Sequence, residues 1–328
     1  MDLLQKTKEL CRLYEITPAR SKGQNFLIKE EIYDKIIESA ELKPNDVILE
    51  VGPGFGFLTA KLAEKVKKVI AVELDDKLAN ILKTGLIAQG IKNVEVINED
   101  ILKFSIGKAP MIKEVWGILS DEYRNVIPPP PFIKGAYKIV ANLPYNITSI
   151  FLRKFLSEEK VKPELMVLML QKEVAKRIVA RPPDMSLLAM SVQFYAQPEI
   201  VEHVAKNNFW PEPEVDSAII KIKPHLNPLL KTRGGETGPY PNSCLASRQT
   251  LLGKERKYID VDKESDFFRL IKFGFSAKRK MLKNNLVAGY RISSEKIEKY
   301  LKLAKINEKA RAQELSLIDW LRLFEVIG

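Results

Sequence analysis

Five apolar runs, all but the third followed by a stretch with helical spacing, limit this chain to very few architectures. They are VILEVG (47–52), KVIAVEL (68–74), VEVINED (94–100), YKIVANLP (137–144) and ELMVLMLQ (164–171). Runs with little polar alternation mark strands buried on both faces, as in parallel sheets. Residues 29–40, 57–67 and 76–89 carry helical spacing between them, as do ITSIFLRKFLS and EVAKRIVA. Strands alternating with helices predict an α/β fold, a parallel sheet with helices on both faces. SVQFYA and SAIIKIK read as the last strands.

Two segments fall outside this rhythm. Residues 105–135 contain four consecutive prolines, Pro128 to Pro131, and read as an insertion with no strand in it. Residues 226–258 are rich in Gly, Pro, Ser and Asn and read as a loop or linker. Helical patterns follow in DFFRLIKFGFSAKRKMLKNNLV, SSEKIEKYLKLA and SLIDWLRLFEVI, with Ser293 or Ser294 and Ser316 as N-caps. The expected division is a first domain over 1–225, a linker or insertion over 226–262 and a small all-helical domain over 263–328.

Composition removes several kinds of chemistry. The chain has two cysteines, Cys11 and Cys244, and two histidines, His203 and His225. None has metal-ligand spacing, so no metal is expected, and a disulfide framework is excluded. Neither histidine sits in a nucleophile motif. No apolar run reaches the ~20 residues of a membrane span, and the charged start MDLLQKTKELCRLYE lacks a secretory pattern. A soluble cytoplasmic protein, with no membrane partner, is expected. Of the net charge of +11, +9 falls in the last 100 residues, where 21 basic side chains face 12 acidic ones. Lys278, Arg279, Lys280 and Lys283 form the densest group there, with Lys272 before it, a pattern that suits a polyanion such as nucleic acid.

The ends of the strands carry the chemistry. Gly52, Gly54 and Gly56 follow the first strand and open a helix, a turn that lets a ligand approach the backbone. Glu73 ends the second strand, 21 residues after Gly52, where a carboxylate can accept both hydroxyl hydrogens of a ribose. Asp100 ends the third, placed to accept from an adenine amino group. An adenosine-containing cofactor is expected, and the spacing alone does not separate a dinucleotide from S-adenosylmethionine.

Asn142-Leu143-Pro144-Tyr145 after the fourth strand points to methyl transfer. An exocyclic adenine amine is a weak nucleophile because its lone pair is conjugated with the ring. Acceptors for its two hydrogens, here the Asn142 carboxamide and the Leu143 carbonyl, favour the tetrahedral form that attacks. Pro144 stiffens the turn, and Tyr145 offers a flat face to a base taken out of its stack. The sulfonium activates its own methyl group, so this chemistry needs no metal.

These motifs resemble, in order, those of the rRNA adenine N6-dimethyltransferases. The resemblance runs through Gln24-Asn25-Phe26-Leu27, Glu50-Val51-Gly52-Pro53-Gly54, Val72-Glu73-Leu74-Asp75, Asn98-Glu99-Asp100 and Asn142 to Asn146. It continues through Leu170 to Glu173, Phe209 to Pro213 with Val215-Asp216-Ser217, and Phe275 to Lys280 with Asn284. It covers roughly residues 20–225 and 264–326, and the motifs are most similar to those of the small-subunit enzymes. It departs at Met185-Ser186-Leu187-Leu188-Ala189, where many relatives carry Tyr-Gly-x-Leu-Ser.

The resemblance implies a Rossmann-like class I methyltransferase sheet followed by a small C-terminal all-helical domain. It implies S-adenosylmethionine as cofactor, S-adenosylhomocysteine as product, and dimethylation of two adjacent adenosines near the 3′ end of 16S rRNA in the immature small subunit, by a monomer. Carried onto this chain, it places Gln24, Asn25, Leu27, Gly52, Gly54, Glu73, Leu74, Asp100 and Asn142 on the cofactor. It places Asn142, Leu143, Pro144, Tyr145 and Phe209 on the target adenosine, with Tyr145 and Phe209 stacking on the base, and Lys278, Arg279, Lys280 and Lys283 on RNA. Three alternatives stand beside it: a large-subunit enzyme of the macrolide-resistance type, a non-catalytic RNA-binding factor on the same fold, and a DNA adenine methylase, whose motif usually begins Asp/Asn-Pro-Pro.

Overall fold

The computed structural model describes residues 2–18, 24–106, 133–134, 137–144, 146–159, 161–225, 230–231 and 259–328. Its centre is a seven-stranded sheet. The strands are β1 (Val47–Val51), β2 (Lys68–Glu73), β3 (Val94–Asn98), β4 (Lys138–Asn142), β5 (Met166–Gln171), β6 (Ala196–Val204) and β7 (Ser217–Pro224). They lie in the order β3-β2-β1-β4-β5-β7-β6. The first five positions are parallel, while β7 runs antiparallel to both β5 and β6. The sheet is therefore mixed, not wholly parallel as expected.

Helices α1 (Leu3–Leu13), α2 (Glu30–Ser39), α3 (Phe57–Ala63), α4 (Asp76–Ala88), α5 (Thr148–Arg153) and α6 (Lys172–Val179) accompany these strands. Ile48, Val69, Val140 and Val167 pack with Tyr33 and Ile36 of α2 and with Leu58 and Leu62 of α3. Leu49, Ile70, Ile139 and Leu168, of opposite strand parity, are equally buried. Both faces are therefore covered, which is why the central strands lack polar alternation. Each such side chain contributes roughly 1.5–3 kcal/mol by leaving water.

Two expectations about the strands fail, each for its own reason. Of SVQFYA (191–196), all but Ala196, which begins β6, lies in α7 (Leu187–Tyr195) rather than in a strand. Val192, Phe194 and Ala196 alternate like a strand, but α7 is buried at Ala189, Met190, Val192, Phe194 and Tyr195, so its pattern has no clear polar stripe. The strand that follows, β6, is an edge strand with Glu199 and Glu202 on it and Pro198 within it, so no apolar run announces it. Helix α1 was not anticipated either; the Asp2 side chain caps it by accepting from the Gln5 amide. In the proline-rich insertion, Ile133–Lys134 pairs in parallel with Val161–Lys162, a short strand where none was expected. Leu230–Lys231 pairs with Ile259–Asp260 in the expected linker. Residues 107–132 and 232–258 lie outside the described residues.

The chain divides into two compact units, residues 1–176 with 196–224, and residues 177–195 with 225–328. A cut at 225 had assigned residues 177–195 to the first domain. Their packing places them in the second, where Phe194 meets Phe267 and Phe268 at ring separations of 5.2 and 5.1 Å. The second unit holds α8 (Glu264–Gly274), α9 (Leu282–Tyr290), α10 (Ser294–Leu303) and α11 (Leu317–Ile327). Ser293 and Ser316 cap α10 and α11 as expected. The helical pattern over 266–287 is broken into α8 and α9 by a turn at 275–281. Asn285 locks that turn by donating to the carbonyls of Gly274 (2.6 Å) and Ala277 (3.1 Å). A Cβ on Gly274 would stand 2.2 Å from the Trp320 ring, so only glycine allows this approach to α11. Among the described residues no helix is long and apolar enough to cross a membrane.

Candidate active site

Strand register assembles the site. Val51 pairs with Val72 and Ala141, so Gly52, Glu73 and Asn142 lie one step further on, at one level of the carboxyl edge. Glu73 in turn pairs with Asn98, and Asn142 with Met169. Ligands bind at this edge of open α/β sheets. The glycine turn above β1 has φ of 67° at Gly52, 58° at Gly54 and 83° at Gly56, the left-handed region that disfavours side chains. At Gly56 a Cβ would also stand 2.3 Å from Leu82 of α4.

A pocket opens at this edge, lined by Gln24, Asn25, Phe26, Leu27, Gly52, Gly54, Glu73, Asn142 and Pro144 among others. Most of the residues expected on the cofactor are thus brought together. The Glu73 carboxylate accepts from the amides of Gly54 (3.1 Å) and Asp75 (3.0 Å), tying the glycine turn to the end of β2. Burial pushes its pKa up, and these two donors oppose the rise. Asn98 Nδ2 donates to the Glu73 carbonyl (2.9 Å), joining β3 to the same edge. The 24–27 segment closes one side: Phe26–Leu27 pairs with Phe209–Trp210, Tyr33 donates to the Leu27 carbonyl (2.9 Å), and Asn142 Nδ2 reaches the Asn25 carbonyl (3.5 Å). Gln24 Nε2 contacts Asp75 (3.4 Å).

Other expected residues stand apart from the pocket lining. Leu74 is 64% exposed. Asp100 lies in the turn after β3, its Oδ1 accepting from the Leu102 amide (2.9 Å). Leu143 is buried, and its amide donates to the Met169 carbonyl (3.0 Å). Phe209 is 3% exposed, packed with Leu27, Tyr33 and Ile36, so here it presents no open face to a base. Tyr145 lies outside the described residues. In the second unit Lys278, Arg279 and Lys280 are exposed on the α8–α9 turn. Lys283 is held by Glu298 at 2.8 Å, so its charge is already paired.

Glu50, which the sequence reading named only as part of the glycine motif without a role, also lines the pocket. It is 2% exposed within β1; its Oε2 has no hydrogen-bond partner among the described residues, and the nearby Thr59 hydroxyl is the polar group that acts on its carboxyl. Burial pushes its pKa up to about 8, with Thr59 opposing the rise and Glu73 adding to it. The signal was present as one carboxylate inside an apolar run. Such a group keeps its proton in the folded state alone between about 4.5 and 8, so it makes stability fall as pH rises through that window. Glu50→Gln is expected to gain on the wild type from pH 5 to 8, by up to about 1.4 kcal/mol per pH unit. Urea unfolding at both pH values measures this, and identical pH dependence in the two proteins would contradict it.

The donor set suits S-adenosylmethionine. The turn at Gly52 leaves backbone bare beside the Asn142 carbonyl, 3.7 Å from where a Cβ would sit. Glu73, at the end of β2, suits ribose hydroxyls. Among the described residues no cluster of His, Cys, Asp and Glu has the makings of a metal site.

Strand order, glycine turn and a carboxylate ending the second strand define a class I, S-adenosylmethionine-dependent methyltransferase. Residues 18–233 match the family model for ribosomal RNA adenine dimethylase. The chain belongs to that family. It is 40% identical over 321 residues to a Ribosomal RNA small subunit methyltransferase A of Dehalococcoides mccartyi, covering 98% of this chain and 92% of the relative. It is 35% identical to the protein of the same name from Clostridioides difficile, covering 98% and 95%. Among solved structures, a dimethyladenosine transferase from Plasmodium falciparum superposes with a TM-score of 0.62 at 25% identity, covering 91% of this chain and 95% of that one. The 23S rRNA methyltransferase ErmE gives 0.61 at 25% identity, covering 92% and 99%.

Proposed function

We propose that this enzyme dimethylates N6 of two adjacent adenosines in the 3′-terminal hairpin of 16S rRNA, acting as a cytoplasmic monomer on the immature small subunit and without a metal. The observation that carries the reading is the register placing Asn142 level with Gly52 and Glu73. Full-length similarity to proteins named for the small subunit supports the choice of subunit.

When bound, S-adenosylmethionine supplies an electrophilic methyl group on a cationic sulfur. The chain's part is to bind, orient and gather. Glu73 takes the ribose hydroxyls, Gly52 and Gly54 admit the ligand to the backbone, Gln24, Asn25 and Leu27 cover it, and Leu74 and Asp100 meet the adenine. The Asn142 carboxamide oxygen and the Leu143 carbonyl accept the two hydrogens of the target amine, turning its lone pair out of conjugation. Tyr145 stacks on the flipped base, and Phe209 joins it by turning out of its packed position.

The test is incubation of the protein with unmethylated small and large subunits and methyl-labelled cofactor, followed by mass mapping. Label on two neighbouring adenosines of 16S rRNA is expected. Label confined to 23S rRNA would move the activity to the large subunit, and absence of label with no cofactor binding would leave a non-catalytic factor.

On the RNA side, replacing Lys278, Arg279 and Lys280 together by Ala is expected to flatten the salt dependence of subunit binding. About three phosphate contacts change the log–log slope by roughly 2–3. Lys283→Ala, its charge already paired with Glu298, is expected to leave that slope nearly unchanged. Binding titrations at several salt concentrations decide both points.

A further inference from the structure

Lys154 opens the π-helical turn Lys154–Glu158 that continues α5. Its side chain is only 12% exposed and forms an ion pair with Glu159 at 3.4 Å. Its ammonium also donates to the carbonyls of Leu102 (3.0 Å) and Phe104. An ammonium has three protons and no acceptor, so three converging acceptors match its full capacity.

Both carbonyls belong to the turn that Asp100 begins. Asp100 Oδ1 accepts from the Leu102 amide, and its carbonyl accepts from the amides of Lys103 (2.8 Å) and Phe104 (2.9 Å). Helix α5 therefore starts at Thr148, just beyond the Asn142–Pro144 loop, and is continued by the residue that grips the Asp100 turn. Single-turn π-helical insertions of this kind frequently mark functional positions. A buried ammonium also carries a desolvation cost that a packed apolar residue would avoid, so its retention calls for a positional role.

We propose that Lys154 is a positioning residue for cofactor recognition, fixing the Asp100 turn so that the enzyme selects the adenine base of its cofactor. This rests on Asp100 meeting the adenine amino group. The experiment compares dissociation constants for S-adenosylhomocysteine and S-inosylhomocysteine, which carries oxygen in place of that amino nitrogen. The wild type is expected to prefer the adenosyl form at least about 30-fold, the scale of one hydrogen bond to a charged group. Asp100→Ala is expected to prefer it less than 3-fold.

Lys154→Met is expected to lose at least 5-fold of the preference, and Lys154→Arg to keep most of it. The ratio of the two constants does not depend on the folded fraction, so a merely destabilising change leaves it in place. Should Lys154→Met fail to fold, Lys154→Met with Glu159→Leu removes both charges of the pair together. A Lys154 variant with the wild-type preference, beside an Asp100→Ala that has lost it, would overturn the role of Lys154. An Asp100→Ala that keeps the preference would overturn the Asp100 reading and this inference with it.

Discussion

Asn142→Ala lowers the rate of methyl transfer by at least about 10²–10³-fold, the scale on which enzymes lose rate when one pre-placed hydrogen-bonding group is removed. The cofactor's dissociation constant should rise by less than about tenfold. The asymmetry follows from position. Asn142 ends β4 beside Met169 of β5, and its side chain touches the 24–27 segment through one long contact to the Asn25 carbonyl. The glycine turn and Glu73, which the proposal assigns to the cofactor, are left in place by the substitution. Single-turnover kinetics with saturating cofactor, alongside calorimetry, separate the two effects. An Asn142→Ala enzyme with the wild-type rate would remove the carboxamide from the chemistry.

Glu73→Ala shows the opposite split, weakening cofactor binding by about 1.5–3 kcal/mol, the range for hydrogen bonds to a charged group. That is roughly 10- to 150-fold in the dissociation constant. Two losses combine: the acceptor for the ribose hydroxyls, and the brace that holds the amides of Gly54 and Asp75. Glu73→Gln keeps the shape and one acceptor and should fall between the two. Calorimetric titration with S-adenosylhomocysteine measures the series, and an unchanged affinity in Glu73→Ala would remove the ribose assignment.

What was legible in the sequence follows from burial. β1, β2, β4 and β5 are covered on both faces, so they appear as apolar runs, and their ends mark Gly52, Glu73 and Asn142. β6 was not legible because an edge strand with Pro198, Glu199 and Glu202 has no apolar run. α7 was misread because burial around much of its surface erases the 3.6-residue stripe and leaves the alternation of Val192 and Phe194. The antiparallel setting of β7 follows from β6, so missing one hid the other.

Within the site, residues whose role is local were readable, and those acting through tertiary contacts were not. The glycine turn and the Asn142-Leu143-Pro144 loop declare themselves by spacing. Lys154 looks like any helix-surface lysine until the Asp100 turn folds against it, and Lys283 looks like a free cation until Glu298 of α10 meets it. The burial of Phe209 comes from its pairing with Leu27, some 180 residues earlier in the chain.

The measurement closest to the chemistry is a structure of the enzyme with S-adenosylhomocysteine and an RNA hairpin carrying the target adenosine. The Asn142 oxygen and the Leu143 carbonyl should each lie about 2.7–3.2 Å from the adenine N6, with that nitrogen facing the cofactor sulfur. A carboxamide turned away from the sulfur, with no room for a purine between them, would contradict the account.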